Sequence, residues 1–378
     1  GKPVERITPS LSSASDVVTA LRLPQNADKA FIGSCKGGPF DILEAEALRL
    51  LTGGGNPHGR PNSDVVRPVM NTDDLFKSRI QRWIIDNADL TLEQATLYEA
   101  PHAHVVACVK PQRDSNRDRW LKENWWRPQR MRPEMRSRIA PLPRFLVTAT
   151  TAKHQVFVWL AHPTLPDHKL TVFAFDSDSA MGVLQSRIHQ VWSLRLGTRL
   201  ETRPNYTPST CFETFPFPEA HAERDEAIAA AAKQLNELRE TWLNPPDWTR
   251  PEVLEFPGTV GGPWSRYIVC GTERALPTLD TRHSTPVLVG TVRYPRLVAR
   301  DADCAARLKD RTLTKLYNER PPWLADCHTR LDAAVAAAYG WPVRQAHGGP
   351  ADLPDEAILE RLLALNLELS EAGGRHET

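Results

Sequence analysis

Two prolines within four residues, in Phe215-Pro216-Phe217-Pro218, separate stretches that obey different patterns. Proline has no amide hydrogen and a fixed φ, so neither a helix nor a central strand runs through this phrase. After it, Ile228, Leu235, Leu238 and Trp242 recur at helical spacing. Before it, short runs rich in Val, Ile, Phe and Thr lie at 30–34, 65–69, 83–86, 144–150, 154–160 and 169–175, and each reads as a strand. The charge divides at the same place. Residues 1–220 carry 28 Lys+Arg against 23 Asp+Glu, a net of +5, and residues 221–378 carry 19 against 23, a net of −4. A chain of 378 residues suits two domains. The expected fold is α+β, with a connector over 1–30, a mixed-sheet domain over 31–218 and a mainly α-helical carboxy-terminal domain over 219–378.

Within the first part, Phe157–Leu160 and Leu170–Phe175 predict a hairpin over the loop Pro163–Asp167. Helices are expected over 91–107 and, from the stripe Met181, Leu184, Ile188, Val191 and Trp192, over 181–196. In the second part the spacing predicts helices over 222–243, 304–318, 322–339 and 355–370. The stretch 245–300, rich in Pro and Gly, reads as loop. No apolar run reaches the ~18–20 residues that span a bilayer. The first 30 residues have no signal-peptide core. The six cysteines form no CxxC pair, which speaks against a disulfide framework and a structural zinc site. The expected location is cytoplasmic, away from any membrane.

Lys110–Arg138 is the most suggestive segment. Lys110, Arg113, Arg117, Arg119, Lys122, Arg127, Arg130, Arg132, Arg136 and Arg138 outnumber four acids, with Trp120, Trp125 and Trp126 interleaved. Guanidinium forks suit phosphate oxygens and guanine edges, and the rings anchor the segment. The plain alternative is a solvated helix with core tryptophans. A second cluster holds Arg187, Arg195, Arg199, Arg203, Asn205 and Tyr206, which equally fits a helix carboxy terminus where arginine meets the helix dipole. Lys153 joins these as a candidate DNA contact.

Asn244-Pro245-Pro246-Asp247-Trp248 approaches the Asn-Pro-Pro-aromatic motif of amino-methyltransferases. Asp247 cannot stack on a flipped base, however, and a helical pattern precedes the motif. No glycine loop for S-adenosylmethionine precedes it either, since Cys35 follows Phe31-Ile32-Gly33-Ser34. It reads as a helix stop. Gly53-Gly54-Gly55-Asn56 has no Lys-Ser/Thr phosphate cradle, His102 and His104 have no third ligand nearby, and Asp41, Glu44 and Glu46 form no nuclease triad. No catalytic residue, cofactor site or metal site is expected within the chain.

Whole phrases carry a family likeness. They include Val66–Leu75, Trp83–Asp86, Val109-Lys110-Pro111-x-Arg113, Trp125-Trp126, Arg144–Thr150, Ser186–His189 and Tyr206–Ser209, the last leading to Phe215–Pro218. Further on come Arg311–Asn318, Arg320-Pro321-x-Trp323-Leu324 and Leu331–Trp341. From about 30 to 369 the chain resembles the carboxy-terminal half of MmeI-like type IIG gamma-class adenine-N6 DNA methyltransferases, with PglX-type phage-defence methylases more distant. The resemblance implies a double-stranded DNA target-recognition domain and a helical tail. It places the S-adenosylmethionine-dependent methyltransferase domain outside this chain, in cis. Two other organisations fit the residues: a separate specificity subunit that recruits a methylase in trans through the 222–243 helix, and a stand-alone enzyme with an unrecognised site.

Overall fold

The computed structural model describes residues 17–78, 81–200, 203–276, 287–341 and 353–374. Two four-stranded sheets build the first part. In one, Ala30–Ile32, Leu170–Phe173, Arg144–Ala149 and Val158–Ala161 lie in that order, all antiparallel. In the other the order is Asp41–Leu43, Arg82–Ile85, Val66–Met70 and Leu165–Pro166, and the last pair is parallel, so the sheet is mixed. All six runs expected as strands contribute one.

The expected hairpin does not form. Val158–Ala161 and Leu170–Phe173 flank Arg144–Ala149 on opposite sides. Arg144–Ala149 is buried on both faces, with Phe145, Val147 and Ala149 in one core and Leu146 in another, so it takes the central place. The intervening Leu165–Pro166 crosses to the second sheet and pairs with Val69–Met70.

Three expected helices divide, two of them where a polar side chain caps the following helix. The 91–107 pattern divides into Leu92–Thr96, opened by a capping box of Thr91 and Gln94, and Glu99–Cys108. The 181–196 pattern divides into Asp178–Gln185 and Arg187–Leu196 because Ser186 is extended and its hydroxyl accepts from the His189 amide. Likewise 304–318 is two helices, Ala302–Leu308 and Leu313–Glu319, the second capped by Thr312.

The long helices Ala222–Leu243, Pro322–Ala338 and Asp355–Gly374 occupy the second part. Ile228, Ala232 and Leu235 meet Leu324, Leu331 and Val335, joined by Val183, Ile188 and Trp192 from before Pro218. Gly182 makes that meeting close, since a Cβ there would lie 2.4 Å from Ile228 Cγ2. Ala222–Leu243, considered above as a docking surface, thus buries its apolar face inside the chain. Asn244 ends this helix, its amide donating to the Glu240 carbonyl at 2.7 Å.

The stretch 245–300 is not loop throughout. Thr249–Thr259 and Leu288–Ala299 form a long antiparallel hairpin in register from Thr249↔Ala299 to Thr259↔Val289, with Arg274–Ala275 on its far edge. Phe256 and Val292 face inward with Trp264 and join Trp83 in the core of the mixed sheet. Among the described residues, the second part is therefore mainly helical apart from this hairpin, which packs on the first part. Among the described residues, no helix is long and apolar enough to cross a membrane.

Of the residues expected as a connector, 1–16 lie outside the described residues. Leu23 donates its amide to the Glu213 carbonyl, and the buried Asn26 side chain donates to the carbonyls of Phe212 and Phe215.

Candidate nucleic-acid interface

Arginine inside a protein needs acceptors for five N–H groups, so its neighbours reveal whether it serves the fold or faces outward. Arg113 serves the fold. It is wholly buried, donates to the carbonyls of Lys36 and Arg127 at 2.9 and 3.0 Å, and lies over the Phe40 ring. Burial lowers its pKa. Arg127 is half-buried and donates to the Ala88 carbonyl, so it pins the segment to the loop after Arg82–Ile85. Trp126 does the same through its indole N–H to Leu90.

Arg136 grips Asp86 with both terminal nitrogens at 2.7 and 3.1 Å, and Arg67 reaches the same carboxylate from the neighbouring strand. Two guanidinium groups share one carboxylate that is 1% exposed. Burial pushes Arg136 down to about 10 and Arg67 well down in the same direction, and the Arg136 cation lowers Arg67 further. Beside this triad lies a cleft of about 590 Å3, closed on its other side by the hairpin's turn at Gly261–Arg266. Arg60 and Arg266 also line it, with His162 held neutral down to about 4 by burial and by Arg67 and Arg266. Two of the acids lining the cleft are engaged, Asp86 in the triad and Asp64, which pairs with Arg60 and accepts from the Tyr98 hydroxyl, whereas Asp89 is exposed. Sequence reading missed Arg60, Arg67 and Arg266. The signal for them was Arg67 and Asp86 on two adjacent β-type runs.

Most of the other cations of the segment face solvent. Lys110 pairs with Asp114 and lies over Trp125, Arg119 pairs with Glu123, and Arg138 with Asp28. Arg132, left-handed at φ 57°, opens the helix Pro133–Ile139. Arg117, Lys122 and Arg130 are exposed and make no ion pair among the described residues.

The second cluster is mostly internal. Arg187 donates to the Leu353 carbonyl and to Asp355 at 2.6 Å, and Arg195 lies 3.6 Å from Glu356. Both therefore fasten the helix Asp355–Gly374. Tyr206 is buried at 4% exposure, its hydroxyl 3.1 Å from His189 Nε2. The other ring nitrogen of His189 meets the Leu184 carbonyl, an acceptor only, so Nδ1 carries the proton and Nε2 accepts from Tyr206. Burial pushes this imidazole down to about 4. Arg203 and Asn205 sit on a short hairpin, Thr198–Leu200 with Arg203–Asn205. Arg203 is exposed, Asn205 is tied to Thr151 at 2.8 Å, and Arg199 lies on the hairpin with its side chain outside the described residues. Lys153 donates to Asn318 at 2.7 Å.

The candidate interface is thus a set of outward cations on an arginine-stapled frame. Residues 56–219 match the family model of the MmeI target recognition domain. That segment is a target recognition domain. The solved structure of the type IIL restriction-modification enzyme MmeI in complex with DNA shares its fold and that of the flanking chain. Its TM-score is 0.62 at 15% identity, covering 98% of this chain and 40% of that one. DNA methyltransferase A of Bacillus subtilis (strain 168) is 37% identical over 60 residues, 16% of this chain and 7% of that protein. The chain therefore spans well under half of either relative. The target recognition domain holds Arg117, Lys122, Arg130 and Arg203 at its surface, and the buried Arg113, the triad on Asp86 and His189 in its interior.

Proposed function

We propose that the chain reads a sequence in double-stranded DNA on behalf of an adenine-N6 methyltransferase of a restriction-modification or phage-defence system. The methyl transfer and its S-adenosylmethionine belong to a domain in cis, outside these residues. The observation that carries this reading is the target recognition domain over 56–219, whose surface presents exposed cations without ion partners among the described residues. Phosphate contacts position a duplex and base contacts specify it, so a few outward arginines on such a frame suit both tasks. Arg117, Lys122, Arg130 and Arg203 are the side chains assigned to DNA. Arg113 and Arg136 support them from within.

Replacing Arg117, Arg130 and Arg203 together with Gln tests the assignment. Duplex affinity drops, and each phosphate that is no longer neutralised takes about 0.9 from the slope of log K against log salt. A variant without a guanine fork relaxes preference at one base, at a cost of roughly 1–3 kcal/mol. Unchanged affinity and slope in a folded triple variant defeat the assignment. Joining the chain to the methyltransferase domain and locating the methyl group by digestion and mass spectrometry tests the adenine-N6 step.

A further inference from the structure

The Asn244–Trp248 phrase, set aside as a helix stop, has a second consequence. It carries Trp248 to a position beside Trp242, and Arg307 of Ala302–Leu308 and Arg311 of the link to Leu313–Glu319 lie against the two rings. The Arg307 guanidinium is 3.9 Å from the Trp248 ring centre, and that of Arg311 is 4.5 Å from Trp242 and 4.9 Å from Trp248. An open cleft of about 400 Å3 lies among these groups, with Lys315, Asp310 and Glu319 on its rim. Three cations face two acids, and Arg307 and Lys315 are exposed. Stacking uses the face of the Arg307 guanidinium and leaves its N–H edge for oxygen acceptors. An arginine fixed on tryptophan also loses less freedom on binding than one in open solvent.

The position of this patch is informative. Lys315 and Asn318 lie one turn apart on Leu313–Glu319, and Asn318 accepts from Lys153 at 2.7 Å. Thr151, two residues from Lys153, is bonded to Asn205 of the short hairpin that bears Arg203. A line of cations thus runs from Arg203 through Lys153 to Lys315 and the stacked arginines. It leaves the target recognition domain and continues onto the helical part.

We propose that Arg307, stacked on Trp248, and Lys315 on the rim of the same cleft form a second phosphodiester site that holds duplex DNA beyond the sequence being read, with Arg311 fixing the two tryptophans. This rests on the DNA-reading function proposed above and adds a ligand site on the helical part. The site is assigned to backbone phosphates, which carry no sequence information, because it lies on the helical part, outside the target recognition domain.

The test uses the full chain, a long duplex centred on the recognised sequence and a short one confined to it. R307Q/K315Q leaves Arg311 in its stack, so the fold is undisturbed, and melting temperature checks this. On the long duplex the double variant binds roughly tenfold more weakly, and its salt slope falls by about 1.8, two phosphates at about 0.9 each. On the short duplex it matches the unaltered chain. R307K/K315R, which keeps both charges, restores most of the affinity. Inorganic phosphate at the same ionic strength as chloride does not displace the long duplex, as expected of a polymer site rather than one for the free ion. Equal affinity and slope of the two proteins on the long duplex overturn the proposal, as does a loss of sequence preference in the double variant. If the unaltered chain binds no duplex, the DNA-reading function itself has failed. Binding by the unaltered chain with no effect of R307Q/K315Q removes only the second site.

Discussion

Two arginine-rich regions look alike in sequence and behave differently in the folded chain. In Lys110–Arg138 the basic residues divide, with Arg113 and Arg136 turned inward and Arg117, Lys122 and Arg130 left in solvent. In Arg187–Tyr206 most of the described groups are spent on the chain itself, Arg187 and Arg195 on the last helix, Asn205 on Thr151 and Tyr206 on His189, and Arg203 is left in solvent. The lesson is that arginine count marks a region able to bind anions, whereas the supply of internal carboxylates and carbonyls decides which arginines remain to do so. A charge near the end of a helix is easily claimed by the next element packed there.

This contrast can be broken most severely at Asp86. Asp86→Ala leaves Arg67 and Arg136 buried without their anion, and the expected loss is about 3–5 kcal/mol in urea unfolding. A loss below about 1 kcal/mol would mean that water replaces the carboxylate and the frame is looser than its geometry.

The second region should show its seal through pH. The neutral His189 has a folded pKa near 4, below the unfolded value of about 6.5. Between those values the unfolded chain binds the extra proton, so stability is whole above about 6.5 and falls as the pH drops towards 4. His162 and His328, also held down to about 4 by burial, act in the same direction. His189→Gln removes one of the three contributions, at most about 3 kcal/mol across that window. A pH profile parallel to that of the unaltered chain would show that His189 is hydrated.

Arg187→Ala should cost about 1 kcal/mol, discounted because the pair with Asp355 is partly in solvent. The readout is faster amide exchange confined to Asp355–Gly374. Smallest of all, Arg117→Ala and Arg130→Ala should each shift stability by less than about 0.5 kcal/mol. A larger shift in either would move that arginine from the outward group to the inward one.

Much of the first part was legible because its strands are apolar on both faces, and such runs stand out whatever their partners. Strand order was less so, since Leu165–Pro166 is too short to mark a crossing. The hairpin of 249–299 was hidden by its prolines. Pro251, Pro257 and Pro295 all point outward to solvent, where a missing ladder bond costs little. The signal lay in alternation: Glu252, Leu254 and Phe256 turn inward opposite Arg296, Tyr294 and Val292. The opposed charges of Glu252 and Arg296, and of Glu255 and Arg293, marked the same register. Of the candidate site, the basic segment was visible and its division was not. Burial of Arg113 depends on Lys36 and Phe40, more than 70 residues earlier in the chain.

The seating of Trp264 bears on how such proteins can be recombined. Its indole N–H reaches the Val66 carbonyl at 3.0 Å, and its ring stacks on Trp83, although almost 200 residues separate them. An exchange of recognition modules cut at Pro218 would transplant the socket and leave the plug behind. The graft would inherit a hole beside Trp83 and an orphaned carbonyl, and the recipient a bare apolar ribbon. A chimaera that also carries 249–299 from the same donor keeps both halves of that joint, at the cost of two more splice points on either side of the hairpin.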